Sequence, residues 1–265
     1  MVARMAIPSL SGQRALVTGA SSGLGVSFAR QLAAAGASLV ITARRKDRLE
    51  TLAEELRKKH SIEVIVIASD LGKPDAAKAL FDATEGAGKT VDILINNAGF
   101  GTKQPFLEQS WDKTFEEMQL NLVSLTELTK RFGVAMVARK RGAILNVASV
   151  GAYLPTPSMA TYGAGKSYVR NFTEGFAAEV ASTGVRVCCL CPGATTTEFA
   201  DVAGLVLPWW KKIAFMSADR CADIGLRALF RGRRNIVSGW SNTFTMFLTR
   251  FVPRRLLGFA AERLL

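Results

Sequence analysis

Residues 14–25 read RALVTGASSGLG, and this segment decides the fold. Its first five residues are an apolar run that predicts a buried strand, and the run stops at Gly19. Apolar side chains then recur at helical spacing from Gly23 to Gly36, which predicts a helix directly after the glycines. Glycines let a backbone approach phosphates closely, and a helix N-terminus offers free N–H groups. The segment therefore predicts a dinucleotide-binding turn, with glycines spaced G-xxx-G-x-G.

The same alternation of short apolar runs and helical patterns continues along the chain. Predicted strands cover 14–18, 38–43, 62–68, 91–95, 142–148, 185–191 and 235–238. Predicted helices cover 23–36, 46–60, 74–87, 111–139, 160–182 and 218–231. Nearly continuous Val, Ile and Leu in the strands is typical of a parallel sheet covered on both faces. We therefore predict an α/β fold, a three-layer, doubly wound, Rossmann-like parallel sheet of about seven strands.

The 265 residues suit one large domain, here 1–265 with its core at about 10–238. Two regions depart from the alternation: residues 194–216, interpreted as a substrate loop, and residues 239–265, a basic and hydrophobic C-terminal tail. The chain lacks the apolar core of a signal peptide and an uninterrupted apolar stretch of about 18 residues. These features favour a cytoplasmic location, with membrane association through the tail as an alternative.

The single histidine and the four cysteines exclude several classes of site. His60, expected at the exposed end of a helix, cannot build a multi-histidine zinc site. A Ser-His-Asp hydrolase would also have to use it. Cys188 and Cys189 are neighbours on a strand and point to opposite faces, so they cannot share a metal. We predict buried, reduced cysteines and no metal site.

The end of the second predicted strand indicates the type of dinucleotide. An acidic residue there would bind the ribose 2′-hydroxyl of NAD, but this chain has Arg44 and Arg45. Guanidinium forms charge-assisted bonds to a 2′-phosphate. We therefore predict NADP(H), with Arg44 as the better candidate and Arg45 as the second. The alternative is that both are solvated charges at the start of the next helix.

A tyrosine and a lysine carry the catalytic signal. Tyr162 and Lys166 are four residues apart and share one face of a predicted helix. A nearby ammonium favours the phenolate and lowers the tyrosine pKa from its ordinary value near 10. Ser149 ends the fifth predicted strand, at the edge where ligands bind in such sheets.

Six features in this order resemble the short-chain dehydrogenase/reductase superfamily, in its short single-domain branch, over residues 10–238. They are the segment 18–25, the segment 96–99, Asn121, Ser149, Tyr162 with Lys166, and the pair Pro192 and Gly193. The glycine spacing and the chain length do not match the extended branch of that superfamily. The resemblance implies a reversible, NADP(H)-dependent reduction of a ketone or aldehyde to an alcohol.

The resemblance also implies a role for each residue of the motif. Tyr162 is expected to be the general acid, and Ser149 to orient and polarise the carbonyl. Lys166 is expected to bind the nicotinamide ribose, and Asn121 to hold a water that links Lys166 to solvent. Further cofactor contacts are expected at Gly19, Ser21, Ser22, Gly23, Leu24, Gly25, Asp70, Leu71, Asn97, Ala98, Gly99, Pro192, Gly193, Thr195 and Thr197.

The substrate loop is apolar and aromatic, which indicates an apolar substrate. Phe199 and Trp209 lie in this loop, and Tyr153 is expected to face the same region by analogy with the family. With Ser149 and Tyr162 they form the predicted substrate site. The expected substrate is a small hydrophobic carbonyl or alcohol: fatty-acyl, steroid-like, terpenoid or aromatic. The alternative for Trp209 is packing on the domain or on a partner.

Positive charge is concentrated near the C-terminus. The chain carries a net charge of +12, and after residue 207 eleven Lys and Arg face three Asp and Glu. Three interpretations of the tail remain open: a subunit contact or substrate lid, an anionic membrane surface or acyl-CoA phosphates, and nucleic acid. We expect no nucleic acid, because no binding module accompanies the charge.

The long predicted helices 111–139 and 160–182 resemble those that form a four-helix bundle between subunits, which implies a homodimer or homotetramer. The predicted function is therefore an NADP(H)-dependent oxidoreductase. Two alternatives are a non-catalytic NADP-binding regulator or scaffold on the same fold, and a membrane-surface protein with secondary reductase activity.

Overall fold

The computed structural model describes residues 7–204 and 215–258. Seven parallel strands form the central sheet, in the order β3-β2-β1-β4-β5-β6-β7. They are β1 (Arg14–Thr18), β2 (Ser38–Ala43), β3 (Val64–Ala68), β4 (Ile93–Asn96), β5 (Gly142–Val147), β6 (Val185–Cys191) and β7 (Asn235–Val237). The predicted doubly wound, Rossmann-like α/β fold is confirmed.

Helices cover both faces of this sheet. They are α1 (Gly23–Ala34), α2 (Lys46–His60), α3 (Ala76–Asp82), α4 (Trp111–Met118), α5 (Leu125–Ala138), α6 (Ala160–Glu179), α7 (Ala218–Phe230) and α8 (Trp240–Leu248). Serines cap α4 and α7, where the Ser110 and Ser217 hydroxyls accept backbone N–H groups of the first turn. A one-turn helix, Phe199–Val202, lies in the predicted substrate loop.

Two apolar layers hold the helices on the sheet. Phe28, Leu49 and Leu226 come from α1, α2 and α7 and pack on one face. Phe132 and Ala177 come from α5 and α6 and pack on the other. Each buried side chain of this size stabilises the fold by about 1.5–3 kcal/mol through its removal from water.

The cysteines of β6 follow the predicted alternation. Cys188 belongs to the apolar layer that contains α1 and α7, whereas Cys189 and Cys191 pack on the opposite side of the strand. All four cysteines are buried and reduced. In the part of the chain that the structure describes, no group of His, Cys, Asp or Glu is arranged to hold a metal ion.

Two predicted helices differ from the observed ones for local reasons. The predicted helix 74–87 begins only at Ala76, because Asp75 takes a left-handed conformation with φ of 59°, and after Asp82 the chain continues into a 3₁₀ turn. The predicted helix 111–139 is divided by a π-helical turn, Gln119–Ser124, between α4 and α5. Extra-residue turns of this kind are frequent at functional sites.

The C-terminal tail, from Gly239 onward, packs against the edge of the sheet through α8. Gly239 has a φ of 88° and starts α8, whose Asn242 packs on Gly193 and donates to the carbonyl oxygen of Ser238 at 2.8 Å. The outer side of the tail is apolar and cationic. Its exposed residues are Trp240, Phe244, Phe247, Arg250, Phe251, Arg254, Arg255 and Leu256. Within residues 7–204 and 215–258, each helix is too short or too polar to span a bilayer.

The sheet positions the site through its strand order. The chain winds outward from β1 through β2 to β3, then returns to place β4 on the other side of β1. Crossovers leave β1 and β4 in opposite directions, which opens a crevice at the carboxyl ends of these two strands. The glycine-rich turn after β1 and the segment after β4 are the walls of that crevice.

Candidate active site

The glycine-rich turn between β1 and α1 is shaped by close backbone contacts. Gly19 and Gly23 have φ values of 67° and 53°, which favour glycine. A Cβ on Gly25 would lie 2.1 Å from the carbonyl oxygen of Gly19, so this helix residue must also be glycine. The turn therefore brings α1 directly against the end of β1.

The N-terminus of α1 is available to an anion. Its cap residue Ser22 makes no side-chain hydrogen bond to the helix, and the first turn contains no acidic residue. The first N–H groups and the positive end of the helix dipole are therefore not neutralised by the helix itself. This arrangement fits the pyrophosphate of a dinucleotide.

The opposite wall is tied to the first by Thr18. Its hydroxyl oxygen accepts from the backbone N–H groups of Asn97 and Ala98 at 3.0 and 2.9 Å. The Asn97 amide in turn donates to the Thr18 carbonyl oxygen at 2.9 Å. These bonds fix the segment after β4, including Gly99, beside the glycine-rich turn, as the sequence predicts for a cofactor cleft.

Both predicted phosphate-binding arginines lie at the edge of this cleft. Arg45 donates to the Ser21 hydroxyl of the glycine-rich turn at 3.1 and 3.2 Å and pairs with Glu198 at 2.9 Å. The Arg44 side chain is 62% exposed and lies 3.5 Å from Glu116. The Arg45 guanidinium thus lies next to the turn, and the exposed Arg44 guanidinium follows the neighbouring strand, which fits a dinucleotide with an additional phosphate.

Asp70 and Leu71 follow β3 at the far end of the cleft. The Asp70 carboxylate accepts the backbone N–H of Gly72 at 3.0 Å, so it stabilises its own turn. Leu71 is buried, and its carbonyl oxygen accepts from the Ser124 hydroxyl at 2.6 Å. Their contact with adenine stays a prediction.

The structure brings the four predicted catalytic residues together. Ser149 follows β5 and accepts from the Gly151 N–H at 3.1 Å, and its hydroxyl faces that of Tyr162. The Lys166 ammonium lies 5.7 Å from the Tyr162 ring centre and donates to the Val147 carbonyl oxygen at 2.8 Å. This spacing follows from the helix α6, on which Tyr162 and Lys166 are one turn apart.

Asn121 joins this group through the π-helical turn. Its amide donates to the carbonyl oxygen of Phe100 at 2.7 Å and accepts the Phe100 N–H at 3.2 Å. A Cβ on Gly99 would lie 2.7 Å from the Asn121 side-chain oxygen and 3.5 Å from the Lys166 nitrogen. The absence of a side chain at Gly99 thus leaves room for the Asn121 oxygen and the Lys166 ammonium to approach the same point.

Burial dominates the proton affinities in this group. Desolvation raises the pKa of Tyr162 to about 12, against the lowering effect of the Ser149 hydroxyl. Desolvation lowers the pKa of Lys166 to about 8. The expected lowering of the Tyr162 pKa by Lys166 is therefore not what the structure shows, because burial has the larger effect. A protonated Tyr162 at neutral pH suits the role of a proton donor.

The segment after β6 crosses over the site. Thr197 packs against Gly23 of the glycine-rich turn, and the Phe199 ring centre lies 5.3 Å from that of Tyr162. The Pro192 carbonyl oxygen accepts from the N–H of Val150 at 2.9 Å. The segment therefore connects the glycine-rich turn with Tyr162.

Hydrogen bonds within this segment hold its conformation. The Thr195 hydroxyl donates to the Gly193 carbonyl oxygen at 2.8 Å, and the Gly193 N–H donates to Ser238 at 3.1 Å. The predicted cofactor residues Pro192, Gly193, Thr195 and Thr197 thus belong to one connected strip of backbone.

Two predicted substrate residues differ from the others in placement. The Tyr153 hydroxyl donates to Asn235 at 3.4 Å, and the Arg170 guanidinium lies over its ring at 4.2 Å. Its hydroxyl is therefore hydrogen-bonded to the first residue of β7. Trp209 lies outside the described residues.

Three residues near the site have no counterpart in the sequence-based predictions. Glu198 accepts from both Arg45 and Arg48, at 2.9 and 2.6 Å, and ties the segment after β6 to α2. Asn242 closes on Gly193 from the tail. Glu117 is buried next to Lys166. Of these, only Glu117 leaves a signal in the sequence, because it lies four residues before Asn121 in a helical pattern.

The family model of the short chain dehydrogenases matches residues 13–204. The chain belongs to the short-chain dehydrogenase family. This short-chain dehydrogenase is therefore an oxidoreductase, and the matched range contains the glycine-rich turn and all four catalytic candidates.

Similar proteins differ in their named activities. A short chain dehydrogenase of Pseudocercospora fijiensis is 36% identical over 191 residues, which are 71% of this chain and 62% of that protein. The very-long-chain 3-oxoacyl-CoA reductase of Homo sapiens is 33% identical over 195 residues, 72% of this chain and 62% of that protein. The match thus spans about three fifths of the length of these two relatives.

Solved structures share the fold over nearly the whole chain. A 7beta-hydroxysteroid dehydrogenase has a TM-score of 0.88 at 25% identity and covers 97% of this chain and 100% of its own. A short-chain dehydrogenase from Sphingobium yanoikuyae in complex with NADPH has a TM-score of 0.80 at 29% identity, with coverages of 91% and 97%. Another, from Burkholderia phymatum, was solved in complex with NAD.

The glycine contact gives a direct test of the cleft. Gly25→Ala places a methyl group against the Gly19 carbonyl oxygen and should displace α1 from β1. We expect NADPH affinity, measured by fluorescence titration, to fall about tenfold or more. Gly175→Ala is the control, because Gly175 lies on α6 with open space around its Cα, and it should bind as the wild type does. Wild-type affinity in a folded Gly25→Ala variant would contradict this view of the turn.

Proposed function

We propose that this short-chain dehydrogenase is an NADP(H)-dependent oxidoreductase that interconverts a ketone or aldehyde and an alcohol. The observation that supports it best is the grouping of Ser149, Tyr162, Lys166 and Asn121 beside a phosphate-binding turn. A regulator or scaffold without catalysis would need the turn but not the four polar side chains around one point.

The residues have distinct tasks in the proposed reaction. The nicotinamide, when bound, supplies the hydride for the carbonyl carbon. The Tyr162 hydroxyl donates its proton to the carbonyl oxygen and accepts it back in the reverse direction. The Ser149 hydroxyl hydrogen-bonds the same oxygen and holds it at Tyr162. Both hydroxyls face each other in the structure, which supports their joint action on one oxygen atom.

Lys166 and Asn121 act behind the tyrosine. The Lys166 ammonium would hold the nicotinamide ribose through its hydroxyl groups, and its positive charge would stabilise the phenolate that remains after proton donation. Asn121 would hold a water next to Lys166. Its hydrogen bonds with Phe100 fix the direction of its amide, which supports a positioning task.

The proposed substrate is apolar. The ring of Phe199 lies against Tyr162, and a Cβ on Gly101 would lie 2.8 Å from the Tyr162 ring and 3.0 Å from the Met159 methyl group. A hydrophobic surround favours fatty-acyl, steroid-like, terpenoid or aromatic carbonyls. The named activities of the 7beta-hydroxysteroid dehydrogenase and the 3-oxoacyl-CoA reductase fit this class.

We further propose a homodimer or homotetramer. Val123 and Val134 on the outer side of the helical stretch 119–138 are at least half exposed, which supports an apolar contact there. The exposed apolar and cationic side of the tail supports a contact with a subunit or with an anionic membrane. Both interpretations of the tail stay predictions.

The proposed role of Tyr162 as proton donor is tested by removal of its hydroxyl oxygen. Tyr162→Phe keeps the ring that packs on Phe199 but has no proton to donate. We expect ketone reduction, followed by NADPH absorbance, to fall about 10²–10⁴-fold while NADPH binding persists. Tyr168→Phe, on the exposed side of the same helix, is the matched control and should retain activity. Unchanged reduction by Tyr162→Phe would rule out the proposed mechanism.

Cofactor choice is tested at the two arginines. Arg44→Ala and Arg45→Ala each remove a guanidinium that can bind the 2′-phosphate, so at least one should weaken NADPH binding about tenfold. NADH binding should change little, because NADH lacks that phosphate. Lys58→Ala, an exposed charge at the far end of α2, is the control. An unchanged NADPH-to-NADH preference in both arginine variants would remove them from the site.

A further inference from the structure

A buried carboxyl lies beside the proposed catalytic group and has no task in the mechanism above. Glu117 is the residue before the last of α4 and is 1% exposed. Neither of its carboxylate oxygens has a hydrogen-bond partner of acceptable geometry in the described part of the chain. Buried carboxyls are nearly always paired, so one that is not calls for a functional reason.

Groups from several elements face this carboxyl. Thr102, after β4, directs its hydroxyl and backbone N–H toward it without completing a hydrogen bond, and Lys113 lies one turn earlier on α4. From α6, the Lys166 ammonium lowers the pKa of Glu117. The charge of Glu117 in turn raises the pKa of Tyr162. Burial raises the pKa of Glu117, and the hydrogen-bond donors of Thr102 and the two lysines oppose that rise.

Lys166 has few groups that support its positive charge. It is 5% exposed and donates a hydrogen bond of 2.8 Å to the Val147 carbonyl oxygen. A buried ammonium with so little support tends to release its proton. Burial lowers the pKa of Lys166 to about 8, and the groups that oppose this are the thiols of Cys189 and Cys191 and the carboxylate of Glu117.

Asn121 and Gly99 show that Glu117 belongs to the same buried neighbourhood as Lys166. Asn121 and Glu117 are four residues apart on one continuous helical stretch and are both buried. A Cβ on Gly99 would lie 2.7 Å from the Asn121 side-chain oxygen and 3.5 Å from the Lys166 nitrogen, so these two side chains approach the same point. The carboxyl therefore acts on Lys166 through the protein interior, where charges interact more strongly than in water.

We propose that Glu117 is a positioning residue that keeps Lys166 in its ammonium form at neutral and mildly alkaline pH. The inference rests on the proposed task of Lys166 as the ligand of the cofactor ribose. It assigns no contact with substrate or cofactor to Glu117. The carboxylate acts only through Lys166, and so its effect should depend on pH.

The signs of the two pKa shifts define the test. Ionised Glu117 favours the ammonium, so removal of its charge should move the pKa of Lys166 below about 8. The pKa of Glu117 itself is raised by burial, so its ionised form lowers fold stability as the pH rises from its ordinary value near 4.5. Glu117→Gln should therefore be more stable than the wild type at neutral pH, and the difference should shrink in acid.

The experiment measures NADPH affinity by fluorescence from about pH 6 to about pH 10, across the Lys166 titration. In the wild type we expect affinity to fall with a midpoint near the Lys166 pKa of about 8. In Glu117→Gln the midpoint should lie at least about half a pH unit lower, with equal affinity at the acid end. Glu117→Asp retains the charge, so its midpoint should lie close to that of the wild type.

Two controls separate charge from packing. Asp112→Asn removes an exposed carboxylate from the same helix and should leave the midpoint unchanged. Cys191→Ala tests another group that favours the charged form of Lys166, and the inference predicts a smaller shift for it than for Glu117→Gln. Thermal unfolding at acid and neutral pH shows whether each variant is folded. If Glu117→Gln does not fold, Glu117→Met, which removes the charge at similar side-chain size, becomes the decisive variant, and a wild-type midpoint in folded Glu117→Met would contradict the inference.

Lys166→Met distinguishes the inference from the proposed function. A midpoint that survives in Lys166→Met would contradict the task of Lys166 and the inference together. A midpoint lost in Lys166→Met but unmoved in folded Glu117→Gln would overturn the inference alone. A shift in Cys191→Ala without one in Glu117→Gln would assign the supporting charge to the thiol and would also overturn it.

Discussion

The bonds between Thr18 and the segment after β4 are the constraint on which the rest of the site depends. They hold the ends of β1 and β4 together at the point where the strand order reverses. One wall of the resulting crevice is the glycine-rich turn, and the other leads through Gly99 to Asn121 and Lys166. The proposed sites of phosphate binding and proton transfer are thus connected by a few residues of backbone.

Within this frame, burial determines the chemistry. Tyr162 packs against Phe199 of the segment after β6 and Lys166 is buried behind it, and loss of water moves their pKa values in opposite directions, up to about 12 and down to about 8. Both shifts favour uncharged side chains. A phenol that holds its proton is a suitable acid for ketone reduction, whereas a lysine near its titration point needs a nearby negative charge. Glu117 meets that need from inside the protein.

Most of the fold could be predicted from the sequence because local patterns and tertiary packing agree. The strands β1, β2 and β6 and the helix α2 have the predicted bounds, since each is bordered by a glycine, a polar residue or a charged turn. The order of the motifs likewise predicted that Ser149, Tyr162, Lys166 and Asn121 would meet, because all four lie at or near the carboxyl edge of one parallel sheet.

The remaining features depend on contacts between distant segments, which periodicity does not encode. Asn121 in the π-helical turn hydrogen-bonds with Phe100, and Tyr153 contacts Asn235 and Arg170. The Glu198 bridge to Arg45 joins residues more than 150 positions apart. The pKa of Tyr162 was expected to fall, since its neighbour Lys166 is visible in the sequence but its burial is not.

We propose that an apolar carbonyl receives a hydride from bound NADPH and a proton from Tyr162. The most direct measurement is NADPH consumption and alcohol formation with a panel of aromatic, steroid-like and fatty-acyl ketones, beside a polar sugar ketone as comparison. We expect one alcohol to be formed for each NADPH consumed with at least one apolar ketone. Tight NADPH binding without turnover of any ketone, or of any of the corresponding alcohols with NADP, would contradict it.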